Sequence, residues 1–353
     1  MTHFLRDILR QPDELQRTLD YLSGTGGGAL ESAIAAVRAA RHVYLTGIGS
    51  SWHAGLNVSV LFQLGARPVH LVDAAELVQF AAIPAGSALI VISRSGRSVE
   101  IVQLLAKARD SGATVIGITN AAEGTLAREA QIPIVIPIAL DHAISVNTYS
   151  TLALAAGILA ASVVGSFDAR VAESLSLAFA AAGRAIPGWQ AQIENSTWLA
   201  PRNTTYFLAR GSSLGSAYEA RLMWEEGVKS PATAMGTGSF RHGPQEIVAQ
   251  EVRFGLWIDG TKMREQDLAV ARDLRKLGAR VMLIGQRLPE DAGDLVFELP
   301  EIASEWQFLI DIVPAQLVAE RLARLSGSDP DTFRLSSFVV EDEAGLLPKT
   351  EGG

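Results

Sequence analysis

The chain of 353 residues has a composition and a charge that exclude several classes of protein. Apolar residues make up 48% and charged residues 19% of it, which predicts a folded protein with enough material for two domains of about 150 residues each. Its 30 basic and 38 acidic residues give a net charge of −8, which argues against a protein that binds nucleic acids through a general basic surface. With no cysteine, disulfides, thiolate metal sites and a cysteine nucleophile are excluded.

Two segments bear on cellular location. Residues 1–22 carry charges throughout and so do not read as a signal peptide, and we expect a cytoplasmic protein. Residues 143–167 carry no charge and are long enough to cross a bilayer. Their first third is rich in Ser, Thr and Asn, however, so the apolar remainder at 152–164 is predicted to be a buried helix rather than a membrane span.

In the first half, short β-branched runs alternate with amphipathic segments, which predicts βαβ units around a parallel sheet. The predicted strands are 43–46, 69–72, 89–93, 115–119 and 132–136. The predicted helices between them are 53–64, 74–82, 99–111 and 121–130. Five such strands with covering helices predict one doubly wound, flavodoxin-like α/β domain.

The second half repeats this pattern. The segment YLTGIGSS at 44–51 matches YFLARGSS at 206–213, an offset of 162, and Gly-Ala-x-Val at 112–115 recurs at 278–281, an offset of 166. Such similar offsets indicate a tandem duplication of one α/β unit with a five-stranded parallel sheet. The predicted order is an N-terminal helical segment (1–37), a first domain (38–149), a helical linker broken at Pro187-Gly188 (150–198), a second domain (199–328) and a tail (329–353).

Ligands of parallel sheets bind at the carboxyl ends of the strands, and two polar loops are predicted there. They are GIGSSWH at 47–53 and SRSGRS at 93–98. The second loop places the hydroxyls of Ser93, Ser95 and Ser98 at the start of a helix, which favours a phosphate. The alternative is an ordinary Ser/Gly turn in which Ser98 is only a helix cap. The matching loop at 257–262 lacks these serines and is predicted to have lost any phosphate site.

Candidate acid–base groups lie in the second half. Glu219 and Glu226 are seven residues apart on a predicted helix at 216–227 and share one face. His242 follows in a turn fixed by Gly and Pro. A carboxylate and an imidazole suit proton transfer at a sugar carbon, or the opening of a sugar ring. The alternative is a pair of acids that face water and a surface histidine.

The tandem α/β halves, GSSWHA at 49–54, SxSGxS at 93–98 and RHGP at 241–244 together resemble the sugar isomerase (SIS) family, and in particular the isomerase half of glucosamine-6-phosphate synthases. The similarity covers nearly the whole chain. It implies Glu226 as the base that moves a proton between C1 and C2, Glu219 as a second acid, and His242 as the ring-opening group. In the family this histidine comes from the neighbouring subunit of a homodimer. The implied substrate contacts are Ser50, Ser51, Ser93, Arg94, Ser95, Ser98, Ala143 and Ser145.

Several features depart from the synthases. Arg94 replaces the usual Gln of the phosphate loop, Met223 stands in place of a lysine, and Ser336 stands in place of the Schiff-base lysine. Lys349, thirteen residues further on, is not expected to replace that lysine. No glutaminase domain precedes Met1 and there is no cysteine, so glutaminase activity is not expected.

These features predict an aldose–ketose phosphosugar isomerase, or an aminosugar- or fructosamine-phosphate deaminase (deglycase). The substrate is a hexose 6-phosphate or an amino-hexose 6-phosphate, and the intermediate is an enediol or enolamine. No cofactor, metal, nucleic acid or membrane partner is predicted, and a homodimer is implied. The alternatives are a non-catalytic phosphosugar sensor, and an α/β scaffold that binds no ligand.

Overall fold

The structure, a computed structural model, describes residues 1–199, 204–335, 337–343 and 345–346. Within these residues the chain forms two five-stranded parallel sheets, and the strand order of one repeats that of the other. The first sheet has the order β2-β1-β3-β4-β5, with β1 (His42–Thr46), β2 (His70–Leu71), β3 (Ser87–Ile92), β4 (Thr114–Thr119) and β5 (Ile132–Val135). The second has the order β7-β6-β8-β9-β10, with β6 (Thr205–Ala209), β7 (Ala232–Gly236), β8 (Arg253–Trp257), β9 (Arg280–Gly285) and β10 (Leu295–Glu298).

Helices cover both faces of these sheets, as the buried strands require. All six residues of β3 are buried, the pattern of a central strand in a doubly wound fold. This confirms the predicted α/β class with parallel sheets. The helices are α1 (His3–Ser23), α2 (Gly27–Ala39), α3 (Ser50–Leu64), α4 (Ala74–Phe80), α5 (Val99–Ser111), α6 (Thr125–Glu129), α7 (Asn147–Val164), α8 (Ala169–Glu194), α9 (Leu214–Met223), α10 (Thr237–Phe240), α11 (Arg264–Lys276) and α12 (Ile312–Leu325).

The predicted helix at 121–130 is wrong over its first four residues, because α6 begins only at Thr125. The Thr119 hydroxyl accepts the Ala121 N–H at 3.2 Å, which stabilises a turn in place of a first helical turn. Gly124 then packs beneath the 93–98 loop, where a Cβ atom would lie 2.4 Å from the Ser95 carbonyl oxygen.

The predicted break of the linker at Pro187-Gly188 is also wrong. Helix α8 continues through Pro187 to Glu194, and the chain turns between α7 and α8 at 165–168 instead. A proline inside a helix costs about 3 kcal/mol. Its neighbours Ile186 and Trp189 are buried, so tertiary packing offsets this cost and keeps the helix continuous.

Helix α7 is long and apolar enough to cross a membrane by length and composition, but protein surrounds it. Sixteen of its eighteen residues are buried. It packs against α1, α2 and α3. The prediction of a buried core helix for this stretch is confirmed.

The chain returns to the first half after α12. The Asp331 carboxylate accepts the N–H groups of His3 and Phe4 at 2.7 and 2.8 Å, which caps the start of α1. Residues 337–343 then lie across the 93–98 loop. Ser336 and Lys349 lie outside the described residues.

Candidate active site

The loop after β1 leads directly into α3. Gly49, with a φ of 57°, precedes the first helical residue, Ser50. Such a positive φ is costly for residues other than glycine. Ser51 is buried, and Ser50 donates its hydroxyl to Glu219 Oε1 at 2.9 Å. In this structure, therefore, Ser50 contacts one of the predicted acids directly.

The loop after β3 is shaped by its own serines. Ser93 Oγ accepts the Gly96 N–H at 3.1 Å, and Ser95 Oγ accepts the Arg97 N–H at 3.2 Å. Ser98 precedes α5, and its side chain makes no capping hydrogen bond. The hydroxyls thus form a turn at the positive end of α5 without introducing a negative charge. That is the environment of the predicted phosphate site.

Residues 337–343 cover part of this loop; we call them the C-terminal strap. The Val340 carbonyl accepts the Val99 N–H, the first amide of α5, at 3.0 Å. Arg97 and Glu341 form an ion pair at 3.6 Å between exposed side chains. The helix amide that a bound anion would use is therefore occupied by a backbone carbonyl.

Arg94 joins the loop to the rest of the site. Its Nη1 donates to the Ala143 carbonyl and to Ser145 Oγ, both at 3.1 Å. Its Nη2 donates to the Phe338 carbonyl at 2.6 Å, and the guanidinium lies 3.9 Å from the centre of the Phe338 ring. Burial lowers the pKa of Arg94, against the opposing effect of the carboxylates of Asp141, Glu226 and Glu219. The predicted contacts Ala143 and Ser145 therefore lie beside Arg94.

Glu219 is fully buried on α9 between two residues of α3. Besides the Ser50 hydroxyl, it contacts His53, whose Nδ1 lies 2.7 Å from Oε2. His53 is not among the site residues predicted from the sequence. The available signal is its place in GSSWHA, three residues after Ser50 and so one helical turn further along α3.

Glu226 lies in a π-helical turn, Trp224–Val228, that extends α9. Such turns occur often at functional sites. Burial, together with the nearby Glu219 carboxylate, raises the pKa of Glu226 to about 7, although the positive charges of Arg94 and Lys229 oppose the rise. Glu226 opens on a cavity of about 350 Å³. The other lining residues are Glu225, Lys229, Ser230, Pro231, Phe333, Arg334 and Leu335.

Two further sequence-predicted positions lie apart from this group. His242 is exposed just beyond α10, and its backbone N–H donates to the Ser239 carbonyl at 3.0 Å. Across the described ranges, its imidazole makes no hydrogen bond or ion pair, with Glu226 or with any other residue. Met223 is fully buried in the core. In the same described residues, no three His, Asp or Glu side chains converge as metal ligands.

A carboxyl whose pKa is raised to about 7, near a loop predicted to bind an anion, can remove and return a proton on a phosphorylated ligand. Known proteins are similar in sequence and in fold to the region around this carboxyl and loop. Residues 36–161 match the model of the SIS domain. They contain β1 to β5, both polar loops and most of α7.

Outside this segment, similarity to known proteins extends over nearly the whole chain. The chain is 26% identical over 350 residues to a glutamine–fructose-6-phosphate aminotransferase of Pyrobaculum aerophilum. The alignment covers 97% of this chain and 58% of the relative. The chain thus spans about three fifths of the length of that curated relative.

Solved structures share the fold at lower identity. The C-terminal domain of a glucosamine-fructose-6-phosphate aminotransferase from Francisella tularensis superposes with a TM-score of 0.84 at 21% identity, covering 93% of this chain and 97% of that one. A glucosamine-6-phosphate deaminase from Thermotoga maritima superposes with a TM-score of 0.80 at 23% identity, covering 96% and 99%. Both comparisons establish the fold of the SIS domain and of the region that follows it.

Proposed function

We propose that this protein is a phosphosugar enzyme that acts on a hexose 6-phosphate or an amino-hexose 6-phosphate through an enediol or enolamine. Its reaction is aldose–ketose isomerisation, or deamination or deglycation of an aminosugar or fructosamine phosphate. The observation that carries the proposal is the Glu226 carboxyl, whose pKa is raised to about 7 and which interacts electrostatically with Arg94 of the loop at 93–98. A base of that strength exchanges protons readily at neutral pH.

In this proposal each part of the site has one task. The phosphate binds the 93–98 loop at the start of α5, where serine hydroxyls and the helix dipole favour an anion. Glu226 takes a proton from the sugar carbon next to the carbonyl or imine, and returns it to the neighbouring carbon. The names of the similar proteins, a fructose-6-phosphate aminotransferase and a glucosamine-6-phosphate deaminase, support a substrate of this class.

In this proposal, His242 acts in the active site of a second copy of the chain. The imidazole is exposed and makes no contact with Glu226 across the described ranges. We infer that a homodimer carries His242 of one subunit to the site of the other, where it opens the sugar ring or protonates the leaving group. The predicted second SIS domain, residues 199–328, is part of the same proposal, because its sheet repeats the strand order of the first.

The test supplies fructose 6-phosphate, glucosamine 6-phosphate and a fructosamine 6-phosphate separately in deuterated water. Exchange of the C1 or C2 proton reports the enediol step, and release of ammonia or an amine separates a deaminase or deglycase from an isomerase. We expect Glu226→Gln to lower turnover and exchange by at least about 100-fold, because an amide cannot accept the proton.

The adjacent Glu225 gives a matched control. Glu225 is exposed, forms an ion pair with Arg221 at 3.5 Å and raises the pKa of Glu226 less than Glu219 does, so Glu225→Gln is expected to lower activity by no more than about twofold. Retained turnover in Glu226→Gln would refute the assigned mechanism. Tight binding of a hexose phosphate by calorimetry, with neither turnover nor exchange, would instead establish the alternative, a non-catalytic sensor.

A further inference from the structure

Helices α3 and α9, one from each half of the chain, pass unusually close to each other. A Cβ atom on Gly215 would lie 2.2 Å from the His53 carbonyl oxygen, so no larger residue fits there. Glu219 lies one turn after Gly215 on the same face of α9. The close approach of the backbones therefore brings the Glu219 carboxylate within reach of the α3 side chains.

Two groups on α3 hold this carboxylate. The His53 Nδ1 lies 2.7 Å from Oε2, and the Ser50 hydroxyl donates to Oε1 at 2.9 Å. An ionised carboxylate only accepts hydrogen bonds, so Nδ1 carries the proton of this contact. Glu219 has no exposed surface and His53 has 4%, so water does not replace either partner. A buried carboxylate left without such a partner is strongly disfavoured.

The groups around the pair come from α3 and α9 themselves and from three other parts of the fold, the 93–98 loop, α7 and the turn of Glu226. The rings of Trp52 and Tyr218 flank His53 with centroids 5.9 and 5.8 Å away. Glu219 interacts electrostatically with Arg94, with Glu226 and with the buried hydroxyl of Tyr149. Lys229 and Glu225 act on Glu226 from its own turn. Within this set only His53 and Ser50 bond directly to the Glu219 carboxylate.

We propose that His53 is a positioning residue, which donates Nδ1–H to the Glu219 carboxylate and so stabilises a second negative charge beside the base Glu226. This inference rests on the proposed function, because it assigns the base role to Glu226. His53 touches neither the sugar nor the transferred proton in this scheme. The negative charge of Glu219 opposes ionisation of Glu226 and makes it a stronger base.

The test compares His53→Leu with His53→Asn, since the Asn amide nitrogen occupies nearly the place of Nδ1 and still donates. In His53→Leu we expect Glu219 to bind a proton and lose its charge. The acidic limb of the kcat–pH profile then moves down by about half to one pH unit, and the plateau falls about two- to threefold because a weaker base remains. His53→Asn is expected to keep the limb within ~0.3 units of wild type, given the retained hydrogen bond.

Ser50→Ala is a second variant that removes the other hydrogen bond without placing a large side chain in the core. We expect a smaller shift in the same direction. If His53→Leu lowers kcat with an unmoved limb, or if His53→Asn shifts the limb as far as His53→Leu does, His53 has only a structural role and the proposal is overturned.

A readout without turnover separates this proposal from the proposed function. Carbon-13 NMR of glutamate-labelled protein, with Glu226→Gln used to assign the signal, follows the Glu226 carboxyl directly. A lower titration midpoint for Glu226 in His53→Leu supports the coupling even if no substrate reacts, and that case refutes only the enzymatic proposal. An unchanged midpoint overturns the role of His53 whatever the enzyme does.

Discussion

The loop after β3 and the loop after β8 follow equivalent strands of two sheets with the same order, yet they satisfy their amides in opposite ways. In the first loop, neutral oxygens accept these N–H groups: Ser93 Oγ, Ser95 Oγ and the Val340 carbonyl. In the second, the Asp259 carboxylate accepts the N–H groups of Lys262 and Met263 at 2.8 Å. A third bond comes from the Thr261 N–H at 3.3 Å.

This difference shows how one fold can carry both a loop suited to an anion and a closed counterpart. The positive end of a helix attracts a negative charge. In the second loop Asp259 already supplies that charge, whereas the serines of the first supply none. The expectation that the second loop has lost its phosphate site therefore has a physical reason, an internal carboxylate in addition to the missing serines.

The largest expected difference between the two loops is in the effect of replacing a glycine in each. Gly96 has a φ of 62°, and a Cβ atom there would lie 2.9 Å from Leu126 Cβ. Gly96→Val should cost about 3 kcal/mol in unfolding free energy and weaken hexose 6-phosphate binding about 100-fold by calorimetry. The matched variant is Gly260→Val, since the nearest atom to a Cβ there is Arg287 Nη2 at 3.9 Å. Equal losses in both variants would contradict the comparison.

Each half of the chain has a buried carboxyl at the start of a helix. Asp141, before α7, accepts the N–H groups of Val146, Asn147 and Thr148. Asp311, before α12, accepts the Ser216 hydroxyl at 2.6 Å, and burial raises its pKa to about 7. The folded state therefore binds this proton more tightly than the unfolded state does.

This proton linkage sets the direction in which stability changes with pH. Stability is fully present below the ordinary carboxyl pKa near 4 and falls as pH rises towards about 7. Relative to wild type, Asp311→Asn should gain on the order of a few kcal/mol of unfolding free energy between pH 4.5 and pH 8. Asp141→Asn should lose stability at pH 8, since an amide is a weaker acceptor for three N–H groups. Urea titrations at both pH values measure these unfolding free energies. If the difference between Asp311→Asn and wild type is the same at pH 4.5 and at pH 8, the prediction is refuted.

Removing the internal carboxylate should convert the second loop towards the first. Asp259→Ala is expected to lower the unfolding free energy by about 1–2 kcal/mol, the usual cost of losing such a cap. Millimolar inorganic phosphate should restore part of the melting temperature, because the free amides then accept an external anion. The Asp259→Asn variant keeps an acceptor and should need less rescue. Equal stabilisation of wild type and Asp259→Ala by phosphate would show that the second loop stays closed.

The smallest expected effect concerns the C-terminal strap, which covers only the first loop. Its Val340 carbonyl must release the Val99 N–H before a phosphate binds there. Phe338→Ala removes the ring that stacks on Arg94, a contact worth about 0.5–1 kcal/mol. Phosphate binding should therefore tighten about two- to fivefold. Leu346→Ala, at an exposed position, is the control. Weaker binding in Phe338→Ala would mean that the strap holds the ligand in place.

Some of the site could be predicted from local sequence. Helix α5 has the predicted bounds, Val99–Ser111, because the amphipathic period and the preceding serine turn both act within a few residues. The proximity of Glu219 to Glu226 could also be predicted from their spacing. The contact of His53 with Glu219 could not be predicted, because the two residues lie 166 positions apart and the helical period alone does not say which helices meet.

By itself, the sequence determined the class of each element and the two loops with their serines, since strand and helix periods record which side of each segment is buried. Tertiary structure decided which groups meet: Glu219 with His53 and Ser50 across the two halves, and Arg94 with a strap 244 residues further along the chain. It also decided that α8 continues through Pro187. These outcomes depend on packing between distant segments, where a glycine such as Gly215 sets how closely two helices approach.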